Sequence, residues 1–277
     1  MGEMQADKLQ TGKEEFIVRD YGEGIFSVSH PVWKESTAPG GALMQSWVIL
    51  REQYGIVLDG GVPSVPGFAD FLKEYFQKDF RMVNTHGHID HIGENDQFTD
   101  VWLDKADWPL LLGGGIKPQE GTAGQSRLSY KLHEIEKGSC FNLGGRPLKV
   151  IHIPGHTPGS VMLFDERTGT LFSGDSVARR LLYGLSGWTP LEDFLHVLES
   201  LSAYPIRQIA SMHDDFMLPR DLPQRIIENI RTKLPETEEI WEMPGTGERF
   251  RHLVVGDGDA DPMMFDFVIP EERCSGL

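Results

Sequence analysis

Three histidines and an aspartate lie within six residues of this chain, in the segment Thr85-His86-Gly87-His88-Ile89-Asp90-His91. Adjacent imidazoles repel one another when protonated and compete for partners, unless a cation holds them in the neutral form. A single buried histidine is usually a hydrogen-bonded core residue, but this cluster directly follows the apolar Met82-Val83. Its composition and spacing predict a metal site.

The cluster can serve two cations. In an extended or looping segment residues i and i+2 point the same way, so His86 and His88 can converge on one cation. Asp90 and His91 lie beyond the bend and can face a second cation. A catalytic zinc takes three protein ligands plus water, so His86 and His88 require one further side chain from elsewhere in the chain.

Three more candidates each follow an apolar segment that is typical of a strand. His156 stands in the Gly- and Pro-containing turn Ile153-Pro154-Gly155-His156-Thr157-Pro158-Gly159-Ser160. Asp175 follows Leu171-Phe172-Ser173-Gly174 and could bridge two cations, and His213 ends the segment 206–212. Because sites in α/β sheets collect beyond the carboxyl ends of strands, we expect these side chains to join the first cluster.

The composition excludes several classes of partner. The 277 residues include 26 Lys and Arg against 42 Asp and Glu, which gives a formal net charge of −16. Phosphate neutralisation needs clustered positive charge, so neither nucleic acids nor membrane surfaces are expected as partners. Two cysteines, Cys140 and Cys274, provide neither a disulfide framework nor a cysteine-based zinc site. Any metal must be held by histidine and carboxylate.

The domain organisation follows from the apolar pattern and the glycines. Residues 1–15 are polar and charged, and no apolar run of about 18 residues occurs, so we expect a cytoplasmic protein with no secretory signal. The prediction is a flexible N-terminus at 1–15, one domain at 16–235, and a C-terminal hairpin extension at 236–277 packed on the same domain. Glycines predict a mobile loop at 113–125 and a hairpin turn at 256–262.

Apolar spacing predicts strands and helices in alternation. Two antiparallel hairpins are predicted in the first third, from 16–19 with 25–29 and from 46–50 with 56–59. Further strands are predicted at 82–84, 101–103, 148–153, 161–164, 170–173 and 206–212. Helical spacing occurs at 68–76, 191–201 and 223–234. This mixture indicates a sheet-rich α/β core with helices outside.

The pattern as a whole resembles that of the metallo-β-lactamase-fold superfamily: His-x-His-x-Asp-His, then Gly-His, Gly-Asp and a final His, preceded by an Asp that closes an early strand. The chain matches it at 86–91, 155–156, 174–175 and 213, with the early Asp in Leu58-Asp59-Gly60-Gly61. The resemblance runs from about residue 16 to 235. It implies an αββα sandwich with a dinuclear metal site at the edge of the two sheets, and an activity like that of glyoxalase II or the lactonases.

The resemblance also implies roles for the individual residues. The first metal receives three histidines, the second receives an aspartate and two histidines, and one aspartate bridges: His86, His88 and His156; Asp90, His91 and His213; and Asp175. Zinc is the expected metal, although these ligands also suit iron, manganese and nickel. Asp59 would accept an N–H from a ligand histidine and fix its tautomer, or would serve simply as a turn residue before Gly60-Gly61.

A mechanism follows from the charges. Two divalent cations sharing a water lower its pKa, so a metal-bridging hydroxide becomes available at neutral pH without a protein nucleophile. Asp90 is also placed to carry a proton to the leaving group, as a catalytic residue.

Two positions depart from the pattern of relatives. The last ligand lies in Ser211-Met212-His213-Asp214-Asp215, where relatives commonly have Pro-Gly-His-Gly, and Ala178 replaces a tyrosine of some quorum-signal lactonases. The second departure disfavours a homoserine lactone as substrate. Tyr183 could substitute for that tyrosine, and Arg179 and Arg180 could clamp an anionic substrate, with a solvated arginine pair as the alternative. His152 is an alternative ligand, and surface or packing roles are expected for His30, His133, His196 and His252.

The leading functional hypothesis is a dinuclear metal-dependent hydrolase acting on an ester, thioester, lactone or phosphoester small molecule. The alternative is a mononuclear iron oxidoreductase resembling the persulfide dioxygenases, which share Gly-His-Thr-Pro-Gly and Gly-Asp. A non-catalytic metal-bound scaffold and a nucleic-acid-processing relative are the remaining possibilities, and the net charge argues against the latter. Homo-oligomer formation is left open.

Overall fold

The computed structural model describes residues 7–11, 14–30, 44–52, 54–62, 66–113, 128–243, 246–256, 261 and 264–274. The helices are α1 Phe68–Phe76, α2 Ile89–Ile92, α3 Trp108–Gly113, α4 Leu191–Ser200 and α5 Leu222–Thr232. The first eight strands are β1 Asp7–Thr11, β2 Glu14–Asp20, β3 Ile25–Ser29, β4 Gln45–Leu50, β5 Gly55–Leu58, β6 Phe80–Val83, β7 Asp100–Leu103 and β8 Lys131–Glu134. The others are β9 Cys140–Asn142, β10 Pro147–His152, β11 Val161–Asp165, β12 Thr170–Gly174, β13 Arg180–Leu182, β14 Gln208–Ser211, β15 Leu218–Pro219, β16 Ile240–Glu242, β17 Arg249–Val255 and β18 Phe265–Pro270.

The strands form three sheets. The first has eight strands in chain order, β1 to β8, antiparallel up to β5 and parallel from β5 to β8. The second has the order β15-β14-β12-β11-β10-β9, with β12 and β14 parallel. The third is four-stranded, in the order β13-β18-β17-β16. The antiparallel first third therefore has the pairing that the sequence predicts.

Strand alternation sends apolar side chains to both faces of the first two sheets. In β4, Trp47 and Ile49 pack between the two sheets with Leu163 and Phe172, whereas Val48 lies on the opposite face of its sheet. Because both faces of the central strands are buried, these strands are apolar at almost every position. The sheets therefore require a covering layer on each outer face.

Helices supply that covering. Phe68, Phe71 and Leu72 of α1 pack on the outer face of the first sheet. The apolar stripes of α4 and α5, which include Phe194 and Ile226, pack against side chains on the outer face of the second sheet. The order helix, sheet, sheet, helix is the αββα sandwich that the resemblance implies. None of the described helices is long and apolar enough to cross a membrane.

The two ends of the chain add strands to this frame. In the segment expected to be a flexible N-terminus, β1 pairs with β2, which itself begins at Glu14. Residues 7–11 and 14–15 therefore form paired strands, because backbone pairing can extend a sheet edge even where the sequence is polar, and the flexibility expected of residues 1–15 stays a prediction. Near the C-terminus β17 and β18 form an antiparallel hairpin, and Phe265 and Phe267 pack into the same core as α4 and α5. The predicted loop at 113–125 and turn at 256–262 lie largely outside the described residues.

Candidate metal centre

The strand ends bring the predicted ligands to one edge of the sandwich. The loop with His86 and His88 follows β6, which runs parallel to β5 and so ends beside Asp59. In the second sheet, β10, β12 and β14 run in one direction, since each of β10 and β12 is antiparallel to β11 and β14 is parallel to β12. The residues after these three strands, His156, Asp175 and His213, therefore meet at a common edge.

Three imidazole nitrogens converge in a first group, formed by His86, His88 and His156. His88 Nδ1 lies 3.1 Å from His86 Nε2 and 2.9 Å from His156 Nε2, and the two Nε2 atoms are 3.1 Å apart. Each nitrogen carries either one proton or one lone pair, so three of them cannot all be satisfied by bonds to one another. Tetrahedral zinc with nitrogen ligands at about 2.0–2.1 Å would separate such nitrogens by roughly 3.3 Å. The group therefore fits a cation.

The other ring nitrogen of each histidine has a separate partner. The Thr85 hydroxyl donates to Asp59 Oδ2 at 2.7 Å, so it accepts from His86 Nδ1 at 3.1 Å. His156 Nδ1 donates to the Leu182 carbonyl at 2.6 Å. Both protons are thereby placed on Nδ1, which leaves the Nε2 lone pairs facing the centre of the group. His88 is reversed, with Nε2 2.6 Å from Ser186 Oγ and Nδ1 facing the centre.

A second group comprises Asp90, His91 and His213, whose possible ligand atoms lie within 4.8 Å of one another. His91 Nε2 is 3.8 Å from Asp90 Oδ2, and His213 Nε2 is 3.6 Å from the same oxygen. His91 is fully buried, and its Nε2 has no hydrogen-bond partner among the described residues. A buried nitrogen without a partner is costly unless something binds it, so this group also fits a cation.

Asp175 lies between the two groups. Its Oδ2 is 3.6 Å from His156 Nε2 in the first group, and 3.5 and 3.2 Å from His91 Nε2 and His213 Nε2 in the second. Its Oδ1 is buried without a hydrogen-bond partner in the described part of the chain. The structure therefore brings together all seven residues that the sequence analysis proposed as ligands.

The two groups differ in their electrostatics. In the first group burial, with the neighbouring imidazoles, holds the pKa of His86 well below its usual range and lowers that of His88 to about 3. In the second group burial acts in the same direction, but the carboxylates outweigh it. Asp175 and Asp90 raise the pKa of His213 to about 9, and together with Asp59 they raise the pKa of His91 well above its usual range. The first group is thus neutral at physiological pH, whereas the second is a cluster of opposite charges.

The pKa values of the two aspartates are lowered, whereas those of the two histidines beside them are raised. Burial raises the pKa of each carboxyl, but His213 and His91 outweigh burial and hold the pKa of Asp175 well below its usual range. The same two histidines lower the pKa of Asp90. Both carboxylates are therefore ionised at neutral pH, which is the form that binds a metal.

Asp59 contacts residues of both groups, and its carboxylate also lies within 4.8 Å of possible ligand atoms of His86 and His91. It is fully buried at the end of β5, and its carboxylate accepts from Thr85 N at 2.7 Å, Thr85 Oγ1 at 2.7 Å and His91 Nδ1 at 2.8 Å. The bond from His91 Nδ1 orients the ring so that Nε2 faces Asp90 and Asp175. This is the contact that the sequence analysis assigned to Asp59.

The proposed substrate residues are placed differently. Tyr183 is fully buried, with its hydroxyl donating to the Thr189 carbonyl at 2.8 Å, so it cannot contact a substrate in this structure. Arg179 is also buried and donates through Nε to Asp214 Oδ1 at 2.5 Å, so the carboxylate offsets the charge of the guanidinium. These contacts do not favour the substrate roles expected of the two residues, which stay predictions, because closeness to Asp175 in sequence does not set the direction of a side chain. Arg180 is partly exposed, with Nε 3.8 Å from Asp266 Oδ2, and stays a prediction.

Three further side chains, those of His152, Ser186 and Asp107, lie around the two ligand groups. His152, the alternative ligand, lies outside both groups, with Nδ1 3.0 Å from Asp104 Oδ2. No sequence pattern marks Ser186 or Asp107, although Ser186 contacts a predicted ligand and Asp107 is fully buried beside the site. Neither residue belongs to a local motif, since their partners lie 98 residues away for Ser186 and 20 to 52 residues away for Asp107.

Several known proteins resemble this chain in sequence. Acyl-coenzyme A thioesterase MBLAC2 of Bos taurus is 25% identical over 216 residues, which cover 68% of this chain and 76% of that protein. Hydroxyacylglutathione hydrolase of a Synechococcus strain is 31% identical over 136 residues, covering 49% of each. This chain therefore aligns with about half of the length of the second relative.

Solved structures show the same fold at lower identity. A beta-lactamase domain protein from Burkholderia ambifaria superposes with a TM-score of 0.61 at 17% identity, covering 80% of this chain and 79% of that one. A metallo-beta-lactamase from Pontibacter korlensis gives 0.58 at 14% identity, covering 83% and 100%. The family model of the metallo-beta-lactamase superfamily matches residues 41–220, more than half of the sequence. The chain therefore belongs to the metallo-beta-lactamase superfamily.

Proposed function

We propose that this metal-dependent hydrolase holds two divalent cations, both zinc, and cleaves thioesters of small molecules. The observation that carries the proposal is the position of Asp175 Oδ2, 3.6 Å from His156 Nε2 in the first group and 3.2 Å from His213 Nε2 in the second. A mononuclear iron oxidoreductase, the alternative from the sequence, would leave the unpartnered His91 Nε2 without a role. The complete second group therefore favours the dinuclear hydrolase.

Asp90 of the second group would carry a proton between the attacking water and the leaving group. Divalent cations bound here would supply Lewis acidity at a substrate carbonyl and hydroxide near neutral pH. Asp90 has 28% of its side chain exposed, against 0% for His91, so its carboxylate can reach a bound substrate. Its lowered pKa keeps it ionised, and it can accept the proton of the attacking water and pass it to the leaving group.

The thioester class comes from the relatives. Acyl-coenzyme A thioesterase and hydroxyacylglutathione hydrolase are both named for substrates with an acyl group on a thiol carrier. These two names favour thioesters over the esters, lactones and phosphoesters that the sequence alone left open. The cytoplasmic location and the absence of nucleic-acid and membrane partners that the sequence leads us to expect stay predictions.

Metal analysis combined with a substrate panel tests the proposal. The purified full chain is analysed for bound metals and assayed against an acyl-coenzyme A, an acylglutathione, a lactone and a phosphodiester. We expect two zinc ions per chain and the highest kcat/KM on a thioester. His213→Ala should lose the second metal and most of the activity, whereas the matched His152→Ala should keep both. A single iron per chain with oxygen consumption on a persulfide would contradict the proposal.

A further inference from the structure

Asp107 is a fully buried acid that is not among the proposed ligands. It ends the short 3-10 turn Lys105–Asp107, directly before α3. Its carboxylate accepts three hydrogen bonds, from Gly87 N at 2.8 Å, Thr157 Oγ1 at 2.6 Å and Gly159 N at 2.7 Å. A buried carboxylate with three donors is held in one geometry, because removing any acceptor leaves a buried N–H or O–H without a partner.

The three donors belong to the two loops that carry the first ligand group. Gly87 lies between His86 and His88 in the chain, and Thr157 directly follows His156. One carboxylate therefore fastens a loop of the first sheet to a loop of the second sheet at the point where their histidines meet. Among the described residues, none of these three bonds reaches the second group.

The neighbouring residues are suited to this contact. A Cβ at Gly87 would lie 3.0 Å from the Asp107 carbonyl oxygen, and one at Gly159 would lie 2.7 Å from Asp107 Cγ. Both positions thus have room only for glycine as long as Asp107 stays where it is. The Thr157 hydroxyl gives its single proton to Asp107, so it accepts from Ser160 Oγ at 2.8 Å, which fixes its orientation.

We propose that Asp107 is a positioning residue, which sets the distance between His88 and His156 and thereby the affinity of the first metal. The inference rests on the proposed metal centre. Asp107→Asn would keep the size of the side chain but replace one acceptor oxygen with an NH₂ group, which would face Gly159 N–H or the Gly87 and Thr157 donors. Replacing a residue that contacts a metal ligand, rather than the metal itself, typically lowers metal affinity about 10–100-fold.

The test measures each metal separately in full-length chains. In a His213→Ala background only the first group is complete, and in a His156→Ala background only the second. Zinc affinity is determined in both by competition with a chromophoric chelator, without reference to activity. Adding Asp107→Asn should weaken zinc binding about 10–100-fold in the first background and leave the second unchanged.

Two control variants separate positioning from a general loss of structure. Asp104→Asn changes an acid of the same turn, which bonds His152 and Ala106 N, and should leave both affinities unchanged, since asparagine caps a turn as well as aspartate does. Thr157→Val, which removes one donor, should weaken the first metal, and Thr157→Ser should restore it. If Asp107→Asn does not fold, the threonine pair carries the test.

The outcomes distinguish this inference from the proposed function. Equal loss of both metals in Asp107→Asn, or an unchanged first metal in Asp107→Asn or Thr157→Val, would overturn the role of Asp107 alone. A wild-type chain that binds no metal would overturn the proposed function and the role of Asp107 with it.

Discussion

Asp59→Asn is expected to weaken metal binding, although Asp59 is not among the proposed ligands. In the wild-type chain the carboxylate accepts from Thr85 N, from the Thr85 hydroxyl and from His91 Nδ1. Asparagine has one acceptor oxygen and a donating NH₂ group in place of the two acceptor oxygens. If its oxygen keeps the bond from Thr85 N, the NH₂ group must face the Thr85 hydroxyl and His91.

This arrangement would move the protons of two ligands. His91 Nδ1 would have to accept from the NH₂ group, which places the ring proton on Nε2, the atom that faces Asp90 and Asp175. The Thr85 hydroxyl would also accept, so its own proton would point at His86 Nδ1, 3.1 Å away, and the His86 ring proton would also move to Nε2. Two ligand nitrogens would then present N–H where a lone pair is required.

The size of the effect follows from the contacts. A hydrogen bond to a charged group is worth about 1.5–3 kcal/mol, and about 1.4 kcal/mol corresponds to a tenfold change in a binding constant. We therefore expect metal affinity about 10- to 100-fold below that of the wild type, which agrees with the usual effect of removing such partners. Competition with a chelator near neutral pH measures it.

A matched variant tests whether the effect is specific. Asp100 Oδ1 also accepts from a histidine, His133 Nε2 at 2.6 Å, but this pair lies outside the metal centre and is partly exposed. Asp100→Asn should keep the wild-type affinity. Wild-type affinity in Asp59→Asn would refute the argument from ring protons, and an equal loss in both variants would show that the effect is not specific to the site.

Three further predictions concern single residues. His156→Ala should lose the first metal and nearly all activity, whereas His152→Ala should spare both, and elemental analysis of the two variants decides between them. Asp90→Asn should stay about 10²–10⁴-fold slower on alkyl esters even at saturating metal, because asparagine cannot accept a proton, and recovery of the rate by added metal would leave Asp90 a ligand alone. Burial lowers the pKa of His30 to about 3, so below its unfolded pKa of about 6.5 the unfolded chain binds a proton that the folded chain does not, and stability should fall as pH drops towards 3. His30→Gln should remove about 1.4 kcal/mol per pH unit from that slope, as measured by urea unfolding of the metal-free chains at several pH values; an unchanged slope would contradict it.

The convergence of the seven candidate ligands could be predicted because each candidate is marked by its local sequence. The His-x-His-x-Asp-His array is contiguous, and His156, Asp175 and His213 each follow a strand that is apolar over several residues. The strands β10, β12 and β14 end at the same edge, so a residue just beyond any of them reaches the site. The sequence pattern identifies the ends of the strands, and the fold then brings the residues that follow them to one place.

The surroundings of the expected substrate residues could not be predicted from the sequence. Arg179 and Tyr183 follow Asp175 closely, but β13 begins at Arg180 and pairs with β18 from the far end of the chain. Tyr183 then packs against Phe194 and Phe267, and the Arg179 guanidinium is bound by Asp214, next to His213. These contacts depend on pairing between distant segments, which single-sequence patterns do not contain. The contacts of Asp107 likewise join segments 20 to 52 residues apart, so no local pattern marks this residue.

The charge arrangement explains how seven polar side chains can lie close together at one edge of the sandwich. In the second group the protonated forms of His91 and His213 offset the carboxylates of Asp90 and Asp175, which is why the pKa values of the histidines are raised and those of the acids lowered. In the first group the histidines are neutral, and their ring protons bond to oxygens outside the group. The histidines of the first group already have the neutral form that binds a metal, whereas metal binding to the second group would have to release the extra protons of His91 and His213.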